Sequence, residues 1–231
     1  MSIQKHSKST FFLLTVQFFL LLSALCSLLF FSGCKRELDL TEYVSEYRNN
    51  LFLYKGEDFS VRMQNVVKEY PYVADGYKGE MTQRVEITIT APPSTEACKI
   101  SFYVNGAEHT GEASYDSVKR HFYYSCGADV QNVHTVPIRL SFDGAEREIT
   151  LTSVKTDDLL SLKDVLSYAF ESEKELLTKL APNKEFEGEL YVRLLYEENP
   201  FYYVGIVDRN GKVTALLLDG KTGKVLAKRS V

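Results

Sequence analysis

The sequence predicts an α+β fold in two parts: an N-terminal antiparallel β-sandwich-like domain, loosely immunoglobulin-like, followed by a helix plus a four-stranded antiparallel sheet. Three observations predict it. From Phe59 to Val154 apolar and polar residues alternate with a period of two, in short runs broken by turn residues. From Leu162 to Leu180 the period lengthens to that of a helix, and strand-like runs resume after it. The aromatic complement, 15 Tyr and 14 Phe with no Trp, suits pleated surfaces better than a helical bundle.

The chain opens on an apolar leader. No side chain from Ser9 to Gly33 is ionised, and Phe11 to Phe31 alone is 21 residues, about 31 Å as a helix, which matches the hydrocarbon core of a bilayer. Lys5 and Lys8 precede the stretch, the small pair Ser32 and Gly33 closes it, and Cys34 follows at once. Phe31, Ser32, Gly33 and Cys34 resemble the lipobox of bacterial lipoproteins, with Phe31 where a branched aliphatic residue is usual. That resemblance implies a lipoprotein signal peptide over residues 1–33, cleavage ahead of Cys34, and lipidation of its thiol. Two acyl chains, each buried CH₂ contributing about 0.8 kcal/mol, hold a domain on a membrane durably. The alternative is a retained signal anchor with Cys34 an ordinary thiol. Basic flanks do not separate the two, since Lys5 and Lys8 face Lys35 and Arg36 across the segment. Either way the expected location is the extracytoplasmic face of a cell membrane, the membrane itself being the first partner.

Beyond the leader, 25 Lys and Arg stand against 31 Asp and Glu, a net charge of about −6. Nucleic acid is therefore not an expected partner, because phosphate binding needs a concentrated basic surface. Besides Cys34, two cysteines remain in this part. In an oxidising compartment the pair Cys98 and Cys126 is read first as a disulfide, with two free thiols as the alternative. Setting Cys98 to Val104 antiparallel to Arg120 to Cys126 would put Ile100 against Tyr124 and Phe102 against Phe122. Closing that loop would stabilise the fold by about 3.6 kcal/mol on chain-entropy grounds.

Residues 34–58 are expected to form a lipid-anchored helix and linker. Asp39 with Glu42 has the spacing of a capping box, and Leu40, Tyr43, Val44, Tyr47 and Leu51 share one helical face. Residues 59–155 form the expected β domain, with strands near Phe59–Glu69, Thr82–Ala91, Cys98–Val104, Arg120–Cys126, Thr135–Phe142 and Ala145–Val154. Asp143 and Gly144 mark a tight hairpin between the last two.

Residues 156–231 make up the second expected domain. Ser161 as N-cap, Asp164 at the third helical position and Leu160 stapling onto Val165 predict a helix start. An apolar stripe then runs to Leu180, interrupted only by Glu173. Strands follow over Phe186–Glu197, Phe201–Asp208, Lys212–Asp219 and Lys224–Arg229, joined by turns at Arg209–Gly211 and Asp219–Lys224. The turn Asp219, Gly220, Lys221, Thr222, Gly223, Lys224, Val225 and Leu226, with the strand before it and the leading helix, is similar to the C-terminal half of a PepSY domain. The likeness covers roughly residues 157–230, about a third of the chain. It implies a tethered, non-catalytic module that binds or restrains an envelope protein, a peptidase in trans being the implied target. A structural or assembly role in an envelope complex is the second reading.

Motifs for chemistry are sparse. Past the leader the histidines are His109, His121 and His134, and none has metal-ligand spacing. There is no nucleophile elbow, and His121 and Cys126 fall on opposite faces of one strand. Glycine-rich clusters at Asp75–Gly79 and Asp219–Gly223 lack the strand-to-helix setting of a phosphate loop. The expectation is a protein without catalytic residues, cofactor or metal. Two aromatic loops are the binding candidates: Tyr70, Tyr72 and Tyr77 around Pro71 and Gly76, and Phe201, Tyr202 and Tyr203 after Pro200. Tyrosine rings offer large contact area with a polar tip.

Overall fold

The computed structural model describes residues 38–69 and 79–230. Leu38 onward forms a single unit, and 56% of the described residues are strand and 13% helix. Twelve strands join in one sheet, ordered β12-β11-β10-β9-β1-β2-β3-β6-β5-β4-β7-β8, and β8 returns to pair with β1. Eight of them therefore close a barrel, which corrects the expected open sandwich and separate helix-plus-sheet domain.

The barrel strands are β1 (Val44–Lys55), β2 (Ser60–Glu69), β3 (Met81–Thr90), β4 (Cys98–Val104), β5 (Ala107–Asp116), β6 (His121–Cys126), β7 (Thr135–Phe142) and β8 (Ala145–Ser153). Every neighbouring pair is antiparallel. The meander β4-β5-β6 has β3 beside β6 and β7 beside β4, a Greek-key order, so residues 91–97 and 127–134 must cross the two barrel ends. Alternation drives closure: in β4 and β7 every second residue is buried, which turns Ile100, Phe102, Ile138 and Leu140 inward. They meet Phe52, Met63, Ile87, Ile89 and Leu151 in one core, and Val130 plugs the end from the crossing loop.

Strand β1 explains why the expected fold fails. Residues read as a helix make only one 3₁₀ turn, Leu40–Tyr43, capped by Asp39 Oδ1 accepting from Thr41 N at 3.0 Å. The chain then extends for twelve residues. The first part of β1, Val44–Arg48, pairs in parallel with β9, whereas Phe52 and Leu53 pair with Ser153 and Thr152 of β8. A bulge between Arg48 and Asn50 marks the fork. One segment thus completes both the barrel and the second sheet, a pairing of distant residues that no local pattern encodes.

The second sheet consists of β9 (Gly188–Tyr196), β10 (Pro200–Asp208), β11 (Val213–Asp219) and β12 (Val225–Ser230), an antiparallel meander. Helices α1 (Leu162–Ser172) and α2 (Lys174–Lys179) cover one side of it. Val165, Leu166, Ala169 and Leu177 pack there on Leu190, Val192, Val204, Ile206, Leu216 and Leu218, together with Leu40, Val44 and Leu51 from the N-terminal segment. The helix start follows the expected capping box: Ser161 Oγ accepts from Asp164 N at 3.2 Å and Asp164 Oδ2 accepts from Ser161 N at 3.3 Å. The expected long helix is instead broken at Glu173 (φ −118°, ψ 32°), whose buried carboxylate sits 2.7 Å from Lys228 Nζ of β12. A buried carboxylate must reach its cation, and that need overrides the stripe's periodicity.

Candidate functional site

A cavity of about 520 Å³ lies where the crossing loop at the barrel end meets the chain leading into α1. Its walls come from Tyr47 of β1, Tyr202 of β10, Gln131–His134 of the loop, Ser153 at the end of β8, and Lys155–Asp157 and Leu159–Leu162 beyond it. The fork in β1 creates it. Where β8 and β9 part company on either side of Asn50, neither strand fills the gap, and the loop and the segment after β8 bridge over it.

Buried asparagines hold the walls. Asn50 Nδ2 donates to the carbonyls of Val130 at 2.8 Å, Val133 at 3.1 Å and Gln131 at 3.3 Å. Its Oδ1 accepts from Leu51 N at 2.9 Å and from Ser153 Oγ at 2.6 Å. Asn65 Oδ1 accepts from Val130 N at 2.9 Å while its amide donates to Asn49 Oδ1 at 2.7 Å. A loop crossing a barrel end leaves backbone carbonyls without a ladder, and these side chains satisfy them. On the other wall, Leu160 N donates to Gly220 O at 2.9 Å and Tyr202 OH donates to Leu160 O at 3.0 Å.

The cavity presents neutral hydrogen-bonding groups, the His134 imidazole, one ammonium (Lys155), one carboxylate (Asp157) and aliphatic surface. Burial pushes the Tyr47 phenol up to about 12. Burial, with the neighbouring Tyr47, raises Tyr202 as well. Among the described residues the Tyr47 hydroxyl, which lines the cavity, makes no hydrogen bond. Lys155 Nζ donates only to Gln131 O, at 3.3 Å. Leu159, Leu160, Leu162 and Val133 supply apolar wall. Phenols that stay protonated far above neutral pH are poor bases, and the Ser153 hydroxyl proton goes to Asn50. The arrangement suits recognition by contact and hydrogen bonding.

A second cleft of about 430 Å³ on the barrel wall, beside Tyr103 and Ile149, is open to solvent and bridged by an Arg139–Glu148 ion pair at 2.7 Å. Its walls are solvated strand surface, without the buried polar framework of the first cavity.

The sequence-predicted residues fare differently. Cys34, Tyr70, Tyr72 and Tyr77 lie outside the described residues. Phe201, Tyr202 and Tyr203 are on strand β10, not a loop. Of the three, Tyr202 lines the cavity, while Tyr203 lies on the opposite face with its ring 5.5 Å from the Arg193 guanidinium. The expected register between Cys98 and Cys126 does not occur: Cys98 is opposite Ala113 and Phe142, Cys126 is opposite Val85, and both thiols are free. Strand β5 separates their two strands, because Asn105 and Gly106 (φ 52° and 80°) turn the chain straight back after β4. Burial and the nearby Asp143 push the Cys98 thiol up to about 11, which keeps it protonated. Sequence reasoning missed Tyr47, Lys155 and the asparagines. Its available signal was the pair Asn49–Asn50 ahead of the apolar run Leu51–Phe52–Leu53. Among the described residues no cluster of His, Cys, Asp and Glu could hold a metal ion.

No known protein family matches the chain, and neither a curated protein nor a solved structure matches it.

Proposed function

We propose that the chain is an extracytoplasmic lipoprotein, anchored to a membrane through an acylated Cys34. On this reading it acts without catalysis, as a binding or regulatory module on another protein of the cell envelope, with a peptidase as the target class implied by the turn at Asp219–Leu226. The cavity beside Tyr47 and Tyr202 is its recognition site.

The observation that carries the reading is a spacing. Three residues separate Cys34 from Leu38, where the folded unit begins, and that length of chain spans no more than about 14 Å. A domain on so short a tether reaches partners at the membrane surface rather than distant ones. The unbonded Tyr47 hydroxyl within a partly apolar cavity supports recognition of a protruding side chain or chain end. The assembly reading draws on one separate feature: β12 ends the sheet among the described residues, and five of its six residues are exposed, so a partner strand could add there.

The test has two arms. Fractionation of cells making wild-type or Cys34→Ala protein should move the protein from membranes to the soluble envelope fraction or leave an uncut precursor; an unchanged, processed, membrane-bound variant refutes the anchor. A photo-crosslinking residue at Asn132, on the exposed cavity rim, should trap one discrete envelope protein, and Leu162→Arg should abolish that adduct. Trapping from β12 but never from Asn132 would favour assembly instead.

A further inference from the structure

The outer barrel wall formed by β1, β2, β3 and β6 carries charge of the opposite sign to the chain as a whole, whose net charge is −4. Cross-strand register places Gln64, Glu86 and Ser125 in one row. Arg84 lies two residues along β3 to one side of that row, and Arg62 two residues along β2 to the other. Glu86 is 9% exposed. It accepts from Arg48 Nη1 at 2.8 Å and Lys68 Nζ at 3.2 Å. Glu46, the next carboxylate, holds Arg48 Nε at 2.5 Å and Arg193 Nε at 2.7 Å.

These two carboxylates are thus committed to three cations, and Arg62 and Arg84 are left over. Among the described residues neither side chain makes a hydrogen bond or ion pair, and the Nε atoms of both are shut off from solvent without a partner, as is Ser125 Oγ, which lies beside the Tyr123 phenol. Arg62 also lies close enough to feel the charge of Arg48, which with burial lowers its proton affinity. Half-buried guanidinium groups facing more positive charge are costly unless an anion joins them. Guanidinium pairs are suited to phosphate, which accepts hydrogen bonds on several oxygens at once.

We propose that this wall is an oxyanion-binding site, in which Arg62 and Arg84 hold a phosphate-bearing ligand from two sides and the Ser125 hydroxyl donates a third hydrogen bond. Arg62, Arg84 and Ser125 are not among the residues lining the Tyr47 cavity, and the site stands independently of the anchoring proposal. The same phosphate chemistry occurs in a free phosphate ester and in the phosphodiester of a lipid headgroup.

The test uses the full chain in a non-ionic detergent, with inorganic phosphate and glycerophosphoglycerol as probes and thermal unfolding as readout. At a hundredfold excess over the dissociation constant, binding should raise the midpoint by about 5–10 °C. R62Q/R84Q should weaken binding at least tenfold, whereas R139Q on the far wall should leave it unchanged. Tighter binding of glycerophosphoglycerol identifies a headgroup, and tighter inorganic phosphate a free ester; both uphold the site. No shift with either probe at millimolar concentration, or an equal shift in R62Q/R84Q, overturns it. Without ligand the double variant should be at least as stable as wild type, since it removes unpaired charge. Unfolding of that variant would mean the two arginines already have partners, and the proposal would fall.

Discussion

Asn50 is the residue on which the candidate site depends. It is 1% exposed, and its one amide serves three loop carbonyls while its oxygen receives two donors. Asn50→Ala would strand those carbonyls in a place where strands cannot reach them. The expected cost is about 2–3 kcal/mol, read as a shift in the urea midpoint with unchanged slope. Asn65→Ala, which frees Val130 N and the Asn49 carboxamide, should behave in the same direction. A change confined to the slope would mean the network is loose in solution. Such residues are hard to find in a sequence because an asparagine reads first as a turn former. Only burial reveals that its side chain replaces a missing strand.

Elements are tied across their boundaries by charge. Glu46 of β1 holds Arg193 of β9, and Arg48 of β1 holds Glu86 of β3, so one ion network staples the second sheet to the barrel. Burial opposes ionisation of Glu46 and Glu86. Hydrogen bonds and charge from Arg193 and Arg48 on Glu46, and from Arg48 and Lys68 on Glu86, outweigh it, and both carboxyls lie below their ordinary 4.5. A carboxyl with a depressed folded pKa stabilises fully above its unfolded value and loses that contribution as pH falls through the folded one. Unfolding free energy should therefore be flat from pH 7 to about 5 and fall below pH 4.5 as these groups titrate. Glu86→Gln should cost about 1–3 kcal/mol at pH 7 and flatten the acid limb. An acid limb identical to wild type would show that the network does not stabilise the folded state. Turns are the elements best written in the chain: Asp143–Gly144 adopts φ 51° and 89°, as its dipeptide predicts. Asn105–Gly106 carries the same signal and announces β5, which the sequence reading passed over.

At the scale of the whole molecule, β1 makes the two halves interdependent. Residues 156–231 contain both helices and β9–β12, yet the parallel partner of β9 and the core residues Leu40, Val44 and Leu51 come from the other end of the chain. Expressed alone, that fragment should show no cooperative thermal transition, since its open β9 edge and uncovered apolar surface favour association over folding. Adding residues 38–55 as a separate peptide should restore protection of β9 amides against hydrogen exchange. A fragment that melts sharply by itself would refute the interdependence. By itself the sequence determined what is local: most strand positions, the Ser161–Asp164 cap and the glycine turns. Each is settled by residues within a few positions of one another, through backbone preference and side-chain alternation. Tertiary structure alone decided barrel closure, the double use of β1, the free state of Cys98 and Cys126, the break at Glu173 and the cavity beside Tyr47. Those outcomes depend on which distant strands meet and which buried polar groups must then be satisfied, and such long-range pairing leaves no periodic trace in the chain.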